Sequence, residues 1–183
     1  MMERIFGEIH RLRQKKERLR IAIDGRCASG KTTLAGKLQE TLSCNVIHTD
    51  DFFLRPEQRT DARYGEPGGN MDRERFLAEV LQPLQTGIPF SYRPFDCHKM
   101  VLGEAIAVMP NAVTIIEGTY SCHPALWDFY DLRLFLTITP EEQLKRLARR
   151  NAENFTMFCE KWIPLEEQYF AVYKVEEKCE FAL

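Results

Sequence analysis

Apolar and polar positions along this chain follow two periods. Ile5, Phe6, Ile9 and Leu12 recur at helical spacing, so residues 2–18 are expected to form an amphipathic helix with a narrow apolar stripe. The runs 19–24, 45–49, 112–117 and 132–138 are short and mostly apolar and read as buried strands, 112–117 by its β-branched content. Between them, 31–42 has the Ala and Leu content of a helix. The stretch 73–84 sets Phe76, Val80 and Leu81 on one face and is expected to stop near Pro83. A helix over 140–150 is expected, with Thr139 as cap, Pro140 in its first turn and Glu141 and Glu142 at its positive end. Residues 162–178 are helical in pattern, and 179–183 read as a closing strand. Pro56, Gly65, Pro67, Gly68 and Gly69 mark a long irregular stretch, while 88–103, with Pro89 and Pro94, reads as a hairpin or excursion beyond the main sheet.

Apolar strands alternating with helices imply an α/β fold, a parallel sheet covered on both faces. Length fits this: 183 residues suit a single domain over 1–183 that buries about 70% of its unfolded surface. A net charge of −2 gives no global reason to expect nucleic acid or an acidic membrane as partner. The block 11–20 holds six basic residues against one acidic residue, which reads as a solvated face beside the domain. The six cysteines are scattered without zinc spacing, so free thiols and a cytoplasmic setting are expected. No run approaches 18 consecutive apolar residues, and a membrane partner is not expected.

One stretch organises the chain. Gly25, Arg26, Cys27, Ala28, Ser29, Gly30, Lys31, Thr32 and Thr33 carry the pattern G-x-x-x-x-G-K-[ST] between a strand and a helix, the context that a phosphate-binding loop needs. Its glycines permit backbone torsions that turn successive N–H groups toward an anion, and the following helix adds its positive end. Lys31 is expected to reach the outer phosphates, and Thr32 to hold magnesium. The ligands implied are a nucleoside triphosphate and Mg²⁺. Cys27, near a helix N-terminus, is either a thiol of lowered pKa or simply a small residue that fits the loop.

Ligands of such sheets bind at the carboxyl ends of the strands, which gathers Asp50, Glu117 and the loop at one rim. A carboxylate at Asp50 suits a general base for phosphoryl transfer, and Glu117 suits magnesium. Asp72 reads equally as the cap of the helix that follows it and as an acceptor of two vicinal hydroxyls. Arg146, Arg149 and Arg150 are either a phosphate clamp or a solvated helix face. A switch protein would not need the Asp50 carboxylate, and the guanine-reading N-K-x-D and the transporter signature S-G-G-Q are both absent.

Together these residues resemble a known family. Cys27 to Thr33, His48 to Phe53, Asn70-Met71-Asp72, Ile116-Glu117-Gly118 and Arg146 to Arg150 are similar to the uridine kinase and phosphoribulokinase group of P-loop kinases, and Asp50 to Phe53 also to nicotinamide riboside kinases. The resemblance implies a P-loop three-layer sandwich: a five-stranded, mostly parallel sheet, helices on both faces, and a small lid over about 146–162. It implies transfer of the γ-phosphate of ATP to the primary hydroxyl of a small nucleoside-like acceptor, with uridine or cytidine first. Nicotinamide riboside, pantothenate, a sugar phosphate, or a non-catalytic switch are the alternatives. Asp50 and Lys31, with Arg149 and Arg150 on the lid side, are the implied catalytic residues. Thr32, Asp50 and Glu117 would surround the metal, and Asp72, Tyr92 and His98 would meet the acceptor. No arginine follows Arg150, which leaves the clamp weaker or completed by Lys161. Self-association is open.

Overall fold

A computed structural model describes residues 2–183. The chain opens with α1 (Met2–Arg13), β1 (Leu19–Gly25), α2 (Lys31–Leu42) and β2 (Asn45–His48). A 3₁₀ turn over Thr49–Phe52 and the short α3 (Asp61–Gly65) lead to α4 (Arg73–Phe76), a π segment Leu77–Leu81, and α5 (Gln82–Thr86). The short strands β3 (Phe90–Tyr92), β4 (Phe95–Asp96), β5 (Val101–Leu102) and β6 (Ile106–Val108) follow. Then come β7 (Val113–Glu117), β8 (Leu132–Leu136), α6 (Pro140–Arg150) and α7 (Phe155–Met157). A π segment Phe158–Trp162, α8 (Ile163–Tyr173), α9 (Val175–Lys178) and β9 (Phe181–Ala182) complete it.

The five-stranded sheet has the order β2-β7-β1-β8-β9, and every neighbouring pair is parallel. Side chains alternate across it. Ile21, Ile23, Ile115, Leu132 and Leu134 pack with Ile5, Ile9, Leu34 and Leu38 on one face. Ala22, Ile116 and Phe135 pack with Phe76, Val80, Tyr169 and Phe170 on the other. The expected closing strand is present as β9, which pairs with β8. The excursion consists of two antiparallel pairs, β3 with β6 and β4 with β5.

Two element boundaries differ from the sequence expectation. The first helix stops at Arg13 instead of running to residue 18. Arg13 Nη1 donates to the carbonyls of Glu17 and Ala112, each at 2.7 Å, and Lys16 pairs with Asp131, so the basic block is pinned to the domain. Pro83 does not end its helix. It falls in the first turn of α5, where a proline lacks nothing the helix needs, and the π segment widens the backbone just before it.

One histidine is built into this core. His123 is 7% exposed, lies parallel to the Tyr169 ring at 6.2 Å, and accepts the Ala125 N–H on Nδ1 at 3.1 Å. Burial pushes its pKa down to about 4, so it folds neutral. Because the unfolded histidine takes up its proton at higher pH, stability contributed by the neutral ring is present above about pH 6.5 and drains away toward pH 4. Unfolding free energies from denaturant titrations, followed across that range, are expected to drop by on the order of 2 kcal/mol. His123→Gln should remove most of that slope; an unaltered slope would assign the acid sensitivity to other groups.

Candidate active site

The loop between β1 and α2 is shaped by contacts that sequence alone does not display. Gly25 has φ +134, and a Cβ there would sit 2.0 Å from the Leu136 carbonyl oxygen, so only glycine lets the loop leave β1 against β8. Ala28 (φ 60) and Gly30 (φ 103) turn the backbone left-handed within the loop. Lys31 is buried and folds back over the loop: Nζ donates to the carbonyls of Gly25 (2.8 Å) and Arg26 (2.9 Å) and approaches Thr119 Oγ1 at 3.2 Å. Side chains from outside grip the loop in succession. Glu167 takes the Arg26 guanidinium through both oxygens (2.6 and 2.9 Å), Glu166 Oε2 accepts the Cys27 N–H (3.0 Å), and Arg146 Nη1 donates to the Ala28 carbonyl (3.1 Å).

Beneath the loop lies a carboxylate that the sequence reading missed. Asp24 is fully buried at the end of β1 and accepts from Gly25 N (2.7 Å), Cys122 N (2.8 Å), Tyr120 N (3.2 Å) and Tyr169 O–H (2.8 Å). Burial raises its pKa against the pull of those donors and of Lys31.

The rim carboxylates converge as expected. Glu117, 5% exposed at the end of β7, offers Oε1 to Thr32 Oγ1 (3.2 Å) and lies 2.5 Å from His48 Nδ1. This contact raises the His48 pKa. Gly118 follows because its φ is +137 and a Cβ would fall 2.0 Å from Thr49 Oγ1. Asp50, in the 3₁₀ turn after β2, is exposed to solvent. Desolvation of its carboxylate by the surrounding protein pushes its pKa up; Glu117 and Asp51 add to the rise, and Lys31 and His48 oppose it. Among the described residues no group of three or more His, Cys, Asp or Glu side chains forms a metal cage. The hydroxyl of Thr32 beside the Glu117 carboxylate, with Asp50 in electrostatic reach, fits magnesium, which takes few protein oxygens and fills the rest with water and phosphate.

The remaining candidates divide. Asp72 is 1% exposed and caps α4 through Oδ1, which accepts Arg75 N at 3.2 Å. Its Oδ2 has no hydrogen-bond partner among the described residues and lies 3.5 Å from both Arg55 and Arg75. Asp72 also lines a pocket of about 480 Å³ with Arg55, Gln58, Thr60, Arg63 and Arg75. Tyr92 is buried and donates its hydroxyl to Asp51 (2.9 Å), while His98 is exposed in the turn between β4 and β5. Arg149 and Arg150 are exposed at the end of α6 without a side-chain partner among the described residues, whereas Arg146 touches the loop. Lys161 rests over the Tyr64 ring at 4.1 Å and the Trp162 ring at 4.8 Å. Cys27 corrects the idea of a reactive thiol: burial, with Glu166 beside it, pushes its pKa up to about 12.

Sheet order and the glycine loop between β1 and α2 define an α/β P-loop fold. No family model matches the chain. It is 30% identical over 135 residues to human nicotinamide riboside kinase 1, a match covering 71% of this chain and 64% of that protein. It is 28% identical over 148 residues to uridine kinase of Lactococcus lactis, covering 75% and 71%. The chain thus spans just under two thirds of the human relative's length. Among solved structures, a possible uridine kinase from Bacillus stearothermophilus superposes with TM-score 0.71 at 19% identity, over 98% of this chain and 99% of that one. Shikimate kinase from Acinetobacter baumannii gives 0.50 at 20% identity, over 93% and 86%. In sequence the chain resembles uridine kinases, and in fold it resembles the possible uridine kinase from Bacillus stearothermophilus. Among the described residues no helix is long and apolar enough to cross a membrane.

The Asp24 knot makes a stability prediction. Asp24→Ala strands three N–H groups and one hydroxyl, and is expected to lower the unfolding free energy by about 3 kcal/mol or more. A chemical denaturation curve matching the unsubstituted protein would show that water replaces the carboxylate without loss.

Proposed function

We propose that this protein is an ATP-dependent kinase that phosphorylates the primary hydroxyl of a nucleoside or nucleoside-like molecule. The observation that carries the reading is a glycine loop with Lys31 folded over it, facing a rim where Thr32, Glu117 and a raised-pKa Asp50 meet. A carboxylate with an elevated pKa is suited to take the proton of an attacking hydroxyl, since a base works best with a pKa near the working pH. Lys31 would leave the loop carbonyls for the outer phosphate oxygens, exchanging neutral acceptors for charged ones. When bound, Mg²⁺ neutralises phosphate charge, and Thr32, Asp50 and Glu117 are the residues that would hold it.

Asp72 would take the acceptor's hydroxyls on Oδ2, the oxygen that makes no hydrogen bond and that Arg55 and Arg75 flank at 3.5 Å. A nucleoside is favoured over a sugar phosphate because the nearby arginines are largely committed. Arg63 pairs with Glu74 and two carbonyls, Arg73 with Glu66, and Arg75 with Glu79 and two carbonyls. Arg146, already on the loop, is the lid arginine best placed to meet transferring phosphate, ahead of Arg149 and Arg150.

ADP release with ATP and magnesium, measured over uridine, cytidine, nicotinamide riboside, pantothenate and ribulose 5-phosphate, tests the class and the acceptor together. Asp50→Asn is expected to lower turnover at least about 100-fold with ATP still bound, in line with loss of a general base. Full turnover in that variant would remove Asp50 from the chemistry. Arg146→Ala should cost about tenfold or more, and the Arg149→Ala, Arg150→Ala pair much less; the reverse ranking would return the clamp to the helix end.

A further inference from the structure

Glu166 has no part in the mechanism above, yet it occupies the phosphate loop. It lies in the first turn of α8, is 5% exposed, and its Oε2 accepts the Cys27 N–H at 3.0 Å. Its Oε1 is 3.4 Å from Thr119 Oγ1, the hydroxyl that Lys31 Nζ also approaches. A loop whose amides turn toward an anion therefore already carries a carboxylate on one of them, connected through Thr119 to the lysine meant for phosphate.

We propose that Glu166 is an internal anion of the loop, and that binding of a nucleotide phosphate draws a proton onto it. This rests on the loop being a nucleotide site. Every group around Glu166 bears on the balance. Its own burial, first, and Asp24 on β1 favour the protonated form, while Lys31 on α2 and both the N–H and the thiol of Cys27 hold it ionised. The Arg26 charge is taken by Glu167, and the neutral Tyr120 hydroxyl, whose pKa burial raises, adds no charge. In the free protein these leave Glu166 with a pKa of about 7. A phosphate beside it adds negative charge and raises that value further, so binding takes up a proton from solvent to the carboxylate. Below about pH 7 Glu166 is already protonated and the linkage vanishes; above it, affinity falls with rising pH.

The test is isothermal calorimetry with magnesium and ADP from about pH 7 to about pH 9, on the intact protein and on Glu166→Gln. The amide keeps an acceptor for the Cys27 N–H and cannot ionise, and comparing the two proteins cancels the nucleotide's own titration. The unsubstituted protein is expected to lose affinity by up to about tenfold per pH unit, and the variant to bind more tightly at high pH with a shallower slope. Titrations in two buffers of unlike ionisation enthalpy should give uptake approaching one proton per nucleotide near pH 8, a readout that needs no variant to fold. Equal slopes, or no proton uptake, would overturn the inference while leaving the nucleotide site intact. Failure of ADP and ATP to bind at any pH would overturn the nucleotide site itself, and this inference with it.

Discussion

The structure hangs on a single buried carboxylate. Asp24 ends β1 where three parts of the chain meet: the start of the loop at Gly25, the turn after β7 at Tyr120 and Cys122, and α8 at Tyr169. A charge in an apolar interior is expensive unless its lone pairs are filled, and here four donors fill them. The hydrogen bonds have direction, so the carboxylate fixes how the loop leaves the sheet as well as holding it there. Tyr169 carries the constraint outward, because its ring packs on Tyr120, His123 and Phe170 while its hydroxyl serves Asp24.

That knot sits under a crowd of like charges. Asp24, Asp50, Asp51 and Glu166 all have raised pKa values with burial as the first cause, and Glu117 lies among them. Against these stand Lys31, His48 and the positive end of α2. An anionic phosphate entering such a cleft meets repulsion unless positive charge or protons come with it. A divalent cation at Thr32 and Glu117 and a proton on Glu166 would relieve the same electrostatic excess at different points of the cleft.

The sequence showed the parts whose signals are local. Strand, glycine loop and helix lie within 24 consecutive residues from Leu19 to Leu42, and the α2 bounds agree with the pattern. The α6 start was legible because Thr139, Pro140 and two glutamates each act within one turn; Thr139 Oγ1 accepts Glu142 N. Asp24 was not legible, since one acid at the end of an apolar run looks like an ordinary strand terminus. Nor were Glu166 and Glu167, which lie in a stretch that is only helical in pattern; the packing of α8 brings them to a loop about 140 residues earlier. Of the two readings of Cys27, the lowered pKa fails for the same reason. The helix N-terminus that would lower its pKa is nearby in sequence, but the burial and the glutamate that raise it come from elsewhere.

The grip on the loop also bears on motion. Arg26, Cys27 and Ala28 are each held by a side chain from α6 or α8. A phosphate that takes the Cys27 N–H must loosen its contact to Glu166 of α8, so filling the loop and shifting that helix draw on the same hydrogen bond. Lys161 resists displacement, because withdrawing it from the Tyr64 and Trp162 rings forfeits two cation–π contacts worth about 0.5–1 kcal/mol each at an exposed site. Arg146 has less to overcome, since one neutral carbonyl is a weaker partner than a phosphate oxygen, and its bond to Glu142 lies within its own helix and travels with it. Of these two cations, the one that moves at least energetic cost is therefore the one already resting on the loop.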